Sequence, residues 1–310
     1  MNLQKLENEH IKIILNPEMG GKMVSLFSKK TGTEFLLDPP SERPVQPDYG
    51  DPFDLRFAYG FDECFPTIEA CQVQTENGSV ELPDHGELWS RSWEYHQKDE
   101  ESITLSIEGK KLNYSLTKEI ALNGSSLNIT YYLENKSDGT LEYLWSAHPL
   151  LFVESNDRVL LGKSEKVVVY WYTGKGVDSI EDVIDWPPKV GNADAIDLSR
   201  VQSIEANVAV KLFSTESNIG QAGLYKSKAD ETLVFSFDKR KLPYLGIWLC
   251  YGGWPEDGEE RSCTVSLEPT TAQTDSLSEA IKTGEAAKIK NNVIHQWEIE
   301  CTLVRGRAKI

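Results

Sequence analysis

The sequence predicts an all-β protein of antiparallel sheets with a few short helices, and three observations carry that prediction. Apolar residues recur with period two along most of the chain, turn sequences rich in Gly, Asn, Asp and Ser separate those runs, and helical spacing is nearly absent. The 310 residues suffice for one large β unit or about two ordinary domains. Strand patterns at both ends, with no break in composition between them, favour a single domain over residues 1–310.

Residues 10–15 and 23–27 read as the first strands. Residues 38–54 hold Pro39, Pro40, Pro44, Pro47 and Pro52 and read as a long loop crossing the sandwich. Ile103, Leu105 and Ile107 alternate with polar residues, and Gly109-Lys110-Lys111 then turns the chain into Leu112, Tyr114 and Leu116. Asn123-Gly124-Ser125-Ser126 turns it again into Leu127, Ile129, Tyr131 and Leu133, which completes an antiparallel meander. Residues 167–172, 232–237, 244–250, 263–268 and 293–303 supply further strands. Ser276-Leu277-Ser278-Glu279 has the capping-box pattern of a short helix, with Gly284 as its stop, and residues 178–184 form a second helical candidate before Pro187-Pro188.

Composition narrows the function. With 32 Lys and Arg against 49 Asp and Glu, the formal charge of −17 repels polyanions, so neither nucleic acid nor an anionic membrane is an expected partner. No apolar run approaches the roughly 18 residues of a membrane span. The charged first ten residues lack the apolar stretch of a secretion signal. Cys64, Cys71, Cys250, Cys263 and Cys301 are odd in number and widely spread, which predicts reduced thiols in a cytoplasm and no zinc knuckle. A neutral small molecule is the expected partner, and nothing in the pattern indicates an oligomeric state.

Carboxylates are too numerous to be diagnostic, so the five histidines are the better probe. His10, His96 and His295 sit in strand-like segments and read as solvated or packed. His148 and Glu268 share a design: each lies on the polar side of a strand pattern and directly precedes a proline, Pro149 or Pro269, which holds it on extended backbone where pairing loosens. They make a candidate acid and base, although strand ends often carry a polar residue before proline. His85 lies in Pro83-Asp84-His85-Gly86, a loop leading into an aromatic segment, Leu88 to Trp93, read as a strand. Rings beside hydrogen-bonding groups suit a sugar; the alternative is a self-bonded turn with Trp89 and Trp93 in the core. In residues 244–254, Ile247, Leu249 and Tyr251 fit the core, while Trp248 falls on the other face.

The order of these segments resembles the aldose 1-epimerase (galactose mutarotase-like) family. The likeness runs from Pro17-Glu18-Met19-Gly20-Gly21-Lys22-Met23 through Asp84-His85-Gly86 and His148-Pro149 to Glu268-Pro269. It implies a galactose mutarotase-like β-supersandwich and a cofactor-independent isomerase that interconverts the α and β anomers of a free monosaccharide. It implies that His148 is the acid at the ring oxygen, that Glu268 is the base at the anomeric hydroxyl, and that His85 hydrogen-bonds the sugar. No metal or other cofactor is expected.

The family's usual Asn-Arg pair is missing from Arg56-Phe57-Ala58-Tyr59-Gly60-Phe61-Asp62-Glu63-Cys64. Asp62, Glu63, Arg91 and Trp248 are the remaining substrate-binding candidates, and strand alternation lets only one of Asp62 and Glu63 face the site. Arg91 invites comparison with hexose-6-phosphate 1-epimerases, but the absence of a basic cluster favours a free sugar. A non-catalytic carbohydrate-binding protein is the main alternative from another class. A glycosidase or lyase on the same fold follows, and a metal-dependent cupin comes last because closely spaced histidines are lacking.

Overall fold

A computed structural model describes residues 2–41, 44–76, 78–162, 166–174, 183–187, 189–190, 196–215, 220–256 and 260–310. Its two principal sheets are antiparallel and draw strands from the whole chain. The larger has eleven strands, in the spatial order Gln4–Glu7, Ile11–Asn16, Lys22–Ser28, Phe61–Cys64, Ser146–Phe152, Cys263–Thr270, Tyr244–Tyr251, Val208–Ser214, Lys166–Gly174 and Val183–Asp185, with Thr33–Glu34 paired beside Lys22–Ser28. The smaller has eight and includes the predicted meander, Ser102–Glu108, Tyr114–Asn123 and Ser126–Asn135, followed laterally by Ile294–Arg305. This is the all-β architecture that the alternation predicts.

Alternation is the physical cause of the packing. In Ser126–Asn135 every second residue is buried, and Leu127, Ile129, Tyr131 and Leu133 are at most 2% exposed. Those side chains face the interior, where Trp145, just before the strand Ser146–Phe152, packs against Tyr131 and Trp297 at ring-centroid distances of 4.8 and 5.1 Å. One charged link crosses the same interior. Glu63 accepts hydrogen bonds from Lys118 Nζ at 2.8 and 2.9 Å and from Tyr131 Oη at 2.9 Å.

Every predicted strand except Leu88 to Trp93 is present, most of them longer by a residue or more at one or both ends. Val208–Ser214 escapes detection because it is buried on both faces, which removes the period-two signal. Phe61–Cys64 is likewise wholly buried. The helix Leu277–Thr283 forms and ends at Gly284 with φ 82°, but the predicted capping box does not. Ser276 makes no side-chain cap bond, and Glu279 accepts from Thr274 Oγ1 at 2.6 Å instead. Of the second helical candidate, residues 178–182 lie outside the described residues, and Val183 and Ile184 belong to a strand, so no helix forms over that end. Leu88 to Trp93 is loop rather than strand, and the next strand begins at Glu94. Among the described residues, no helix is long and apolar enough to cross a membrane.

Candidate functional site

One transverse row of the larger sheet assembles the site. Ser146 pairs with Thr270 and Leu150 with Ser266, so the common register sets His148 opposite Glu268. On its other side His148 pairs with Asp62, and Glu268 pairs with Gly246. Side chains opposite one another share a face, so Asp62, His148 and Glu268 point the same way. Gly246 makes room for Glu268: a Cβ there would lie 3.0 Å from Glu268 Oε2. The next row brings Trp171, Lys211 and Trp248 side by side.

A cavity of about 360 Å³ opens over these rows, a size suited to a small ligand. Glu69, Asp84, His85, His148, Lys211, Glu268 and Asp275 provide its ionisable wall, and Phe53, Tyr170, Trp171, Trp248 and Trp254 its aromatic wall. Trp171 and Trp248 stack at 5.5 Å, with Trp254 edge-on to Trp248 at 6.4 Å.

Each histidine is oriented by its own carboxylate. His148 Nδ1 is 2.9 Å from Asp62 Oδ1, and Asp62 Oδ2 is 2.9 Å from Lys22 Nζ. Lys22 also donates to the carbonyls of Phe57 and Tyr59, which anchors the ammonium from three sides. Burial would raise the Asp62 carboxyl, but Lys22 and His148 outweigh it and hold it well below the usual carboxylate range. His85 Nδ1 lies 2.9 Å from Asp84 Oδ1, and its ring stacks on Phe53 at 4.1 Å. Burial lowers His85 despite Asp84, which favours the neutral imidazole with Nδ1–H directed at Asp84 and Nε2 as an acceptor.

The loop geometry that presents His85 is demanding. Its backbone has φ 56°, and at Gly86, φ 75°, a Cβ would stand 2.1 Å from the carbonyl oxygen of Phe65. Only glycine fits that second position without moving the strand beside it.

Glu268 is held by the ammonium of Lys211, which also lies 3.5 Å from Asp275 Oδ1. Burial works to raise Glu268, but Lys211, His148 and local hydrogen bonds prevail and lower it, so the carboxylate is ionised. Asp275 goes the other way: burial lifts it to about 6 against the pull of Lys211.

Of the sequence candidates, His85, His148, Glu268 and Trp248 line one cavity, and Asp62 lies directly behind His148. Glu63 and Arg91 do not join them. Alternation turns Glu63 to the opposite face, into the bond with Lys118 between the sheets. Arg91 is absent from the cavity wall, and its charge instead acts on Tyr49 and Tyr114, the two phenols that hydrogen-bond Glu87. Trp89 and Trp93 are buried core residues, so the aromatic wall of the cavity comes from other segments. Lys22, Phe53, Lys211 and Asp275 were not singled out by the sequence reading. A lone lysine within the apolar run Val208-Ala209-Val210-Lys211-Leu212-Phe213 was the available signal for Lys211.

A family model described as a domain of unknown function (DUF5107) matches residues 1–41. The sequence has no match among curated proteins. A galactose mutarotase-like protein from Lactobacillus casei ATCC 334 superposes with TM-score 0.69 at 16% identity, covering 98% of this chain and 100% of that one. A galactose mutarotase-like protein from Clostridium acetobutylicum gives 0.67 at 13% identity, with 97% and 94% covered. A GalM/aldose epimerase homologue from C. elegans gives 0.66 at 11% identity, with 99% of each chain covered. The chain has the galactose mutarotase-like fold.

Proposed function

We propose that the chain is an aldose 1-epimerase acting on a free monosaccharide. The observation that carries this reading is the pairing of His148, backed by Asp62, with the ionised Glu268 at the floor of one aromatic-walled cavity.

Ring opening needs a proton delivered to the ring oxygen while another leaves the anomeric hydroxyl. His148 donates the first from Nε2, with Asp62 stabilising the imidazolium through Nδ1. Glu268 takes the second. The bond between the anomeric carbon and the ring oxygen breaks, an aldehyde forms, and rotation about the adjacent carbon–carbon bond exposes its other face. Reclosure reverses both transfers, with imidazole as base and the protonated Glu268 as acid. Neutral His85 accepts a hydrogen bond from a ring hydroxyl, and Trp171 and Trp248 stack on the C–H face of the sugar. Among the described residues of the cavity wall Lys211 is the one Lys or Arg, and two carboxylates already engage it, which supports a neutral sugar over a sugar phosphate.

The same Lys211 contact favours a second reading. A base gripped by an ammonium is a weaker base, which suits a carbohydrate-binding protein without turnover. Saturation transfer between the α and β anomeric protons, measured across a panel of aldoses, separates the two. Protein-dependent exchange supports the epimerase; sugar binding with no exchange for any aldose supports the binder.

A further inference from the structure

We propose that Cys64, His85 and His148 form a binding site for a zinc-class divalent cation, with its fourth coordination position open to the sugar cavity. One ligand atom from each of the three residues lies within 4.8 Å of the other two. Tetrahedral zinc with sulfur and nitrogen ligands sets such atoms about 3.3–3.8 Å apart, so closing on the ion asks each to move by less than about 1 Å.

Three features make this more than proximity. Cys64 and His148 come from neighbouring strands, and Cys64 shares its face with Asp62, so the sheet itself aims the thiol toward the imidazole. Both histidines have Nδ1 engaged by a carboxylate, Asp84 for His85 and Asp62 for His148, which leaves Nε2 of each to ligate. A carboxylate behind each ligating histidine is the arrangement that fixes ring orientation and strengthens the metal bond. The thiolate and the two carboxylates also balance the charge of the ion together with Lys22. Their mix of sulfur and nitrogen selects zinc, cobalt or copper over magnesium or calcium. On binding, the Cys64 S–H bond breaks, its proton passes to solvent, and a sulfur–metal bond forms without any change of oxidation state.

The sequence argued against a metal because no two histidines are closely spaced; the three ligands instead reach one point from a loop and two strands. If His85 and His148 also serve the sugar, the ion and the sugar compete. That consequence rests on the epimerase reading, whereas binding itself does not.

Cobalt(II) titration of the purified full chain tests the site directly. The expected result is one equivalent bound, with a thiolate-to-cobalt charge-transfer band and the intense visible bands of tetrahedral cobalt, both abolished by one equivalent of zinc. Cys64→Ser should lose the charge-transfer band while Cys263→Ser keeps it. His85→Asn, which tolerates the left-handed backbone, should weaken cobalt binding at least tenfold with the band retained at saturation. Circular dichroism establishes that each variant is folded. Absence of the band in the wild type, or its persistence in folded Cys64→Ser, overturns the site. Cobalt binding without anomer exchange keeps the metal site and removes the epimerase; exchange that zinc does not inhibit, with no cobalt band, does the reverse.

Discussion

His148 and Glu268 face each other across neighbouring antiparallel strands, each followed at once by a proline, Pro149 and Pro269. Neither proline can donate to the ladder, and the paired positions resume only at Ser146–Thr270 and Leu150–Ser266 on either side. The acid and base candidates thus lie opposite one another on a stretch of sheet whose bonding is interrupted. Their side chains are then aimed by different partners: Asp62 for the imidazole and Lys211 for the carboxylate.

In the proposed reaction Asp62 positions His148, and it also pairs with the buried Lys22. Asp62→Asn removes the negative charge between His148 and Lys22, leaving the Lys22 ammonium, 1% exposed, with carbonyl partners alone. Unfolding free energy should fall by about 3 kcal/mol, and the anomerisation rate by about tenfold to a hundredfold. Urea denaturation reads the first and polarimetry the second. The Asp62 carboxyl is depressed in the folded chain, so its stabilising contribution is present above about pH 4 and lost as pH falls further.

Asp275 has the opposite sign. Its folded value is raised to about 6, above that of an unfolded chain, so its contribution is complete below about pH 4 and lost as pH rises through about 6. Wild type should therefore lose on the order of 2 kcal/mol across that window relative to Asp275→Asn. Ionised Asp275 also draws Lys211 away from Glu268, which frees the base, so the rate should climb with pH through about 6. An identical pH profile in Asp275→Asn contradicts this coupling.

Glu63 and Arg91 separate structure from catalysis. Glu63→Gln leaves Lys118 buried without its counter-ion and should cost about 3–5 kcal/mol of stability. The folded fraction should keep kcat within about threefold. Arg91→Ala should leave KM unchanged within about twofold, since the side chain is not on the cavity wall. A tenfold loss of kcat/KM in either variant, measured at a temperature where it is folded, contradicts the placement.

Trp248 stands beside Lys211 and stacks with Trp171, so Trp248→Ala removes most of one ring-stacking surface. KM should rise about tenfold with kcat little changed, the signature of lost uniform binding. A fall in kcat at constant KM would instead place Trp248 in transition-state stabilisation.

Much of this was legible in the chain. Period two reported the long strands with one wet face, such as Ser126–Asn135, but missed short ones such as Cys71–Thr75 and Leu141–Tyr143, and it failed for Val208–Ser214, where both faces are buried. His148 and Glu268 stood out because a proline directly follows each polar residue in a strand pattern, and in both cases the strand continues through that proline. Lys211 and Lys22 did not, since a buried lysine is revealed only by the carboxylates that the fold brings to it: Glu268 and Asp275 for one, Asp62 for the other. Phe53 was hidden in the proline-rich loop, which local pattern cannot place against His85. The grouping of Cys64 with two histidines is equally non-local.

The proposed reaction stands on His148 and Glu268 acting as acid and base on one sugar ring. Polarimetry of freshly dissolved α-glucose, α-galactose and a wider aldose panel tests it most directly, comparing wild type, His148→Ala and Glu268→Gln with the spontaneous rate. The expected result is acceleration of at least one aldose by the wild type and a loss of about a hundredfold or more in each variant. No acceleration of any aldose by the wild type, or full acceleration by both variants, contradicts it.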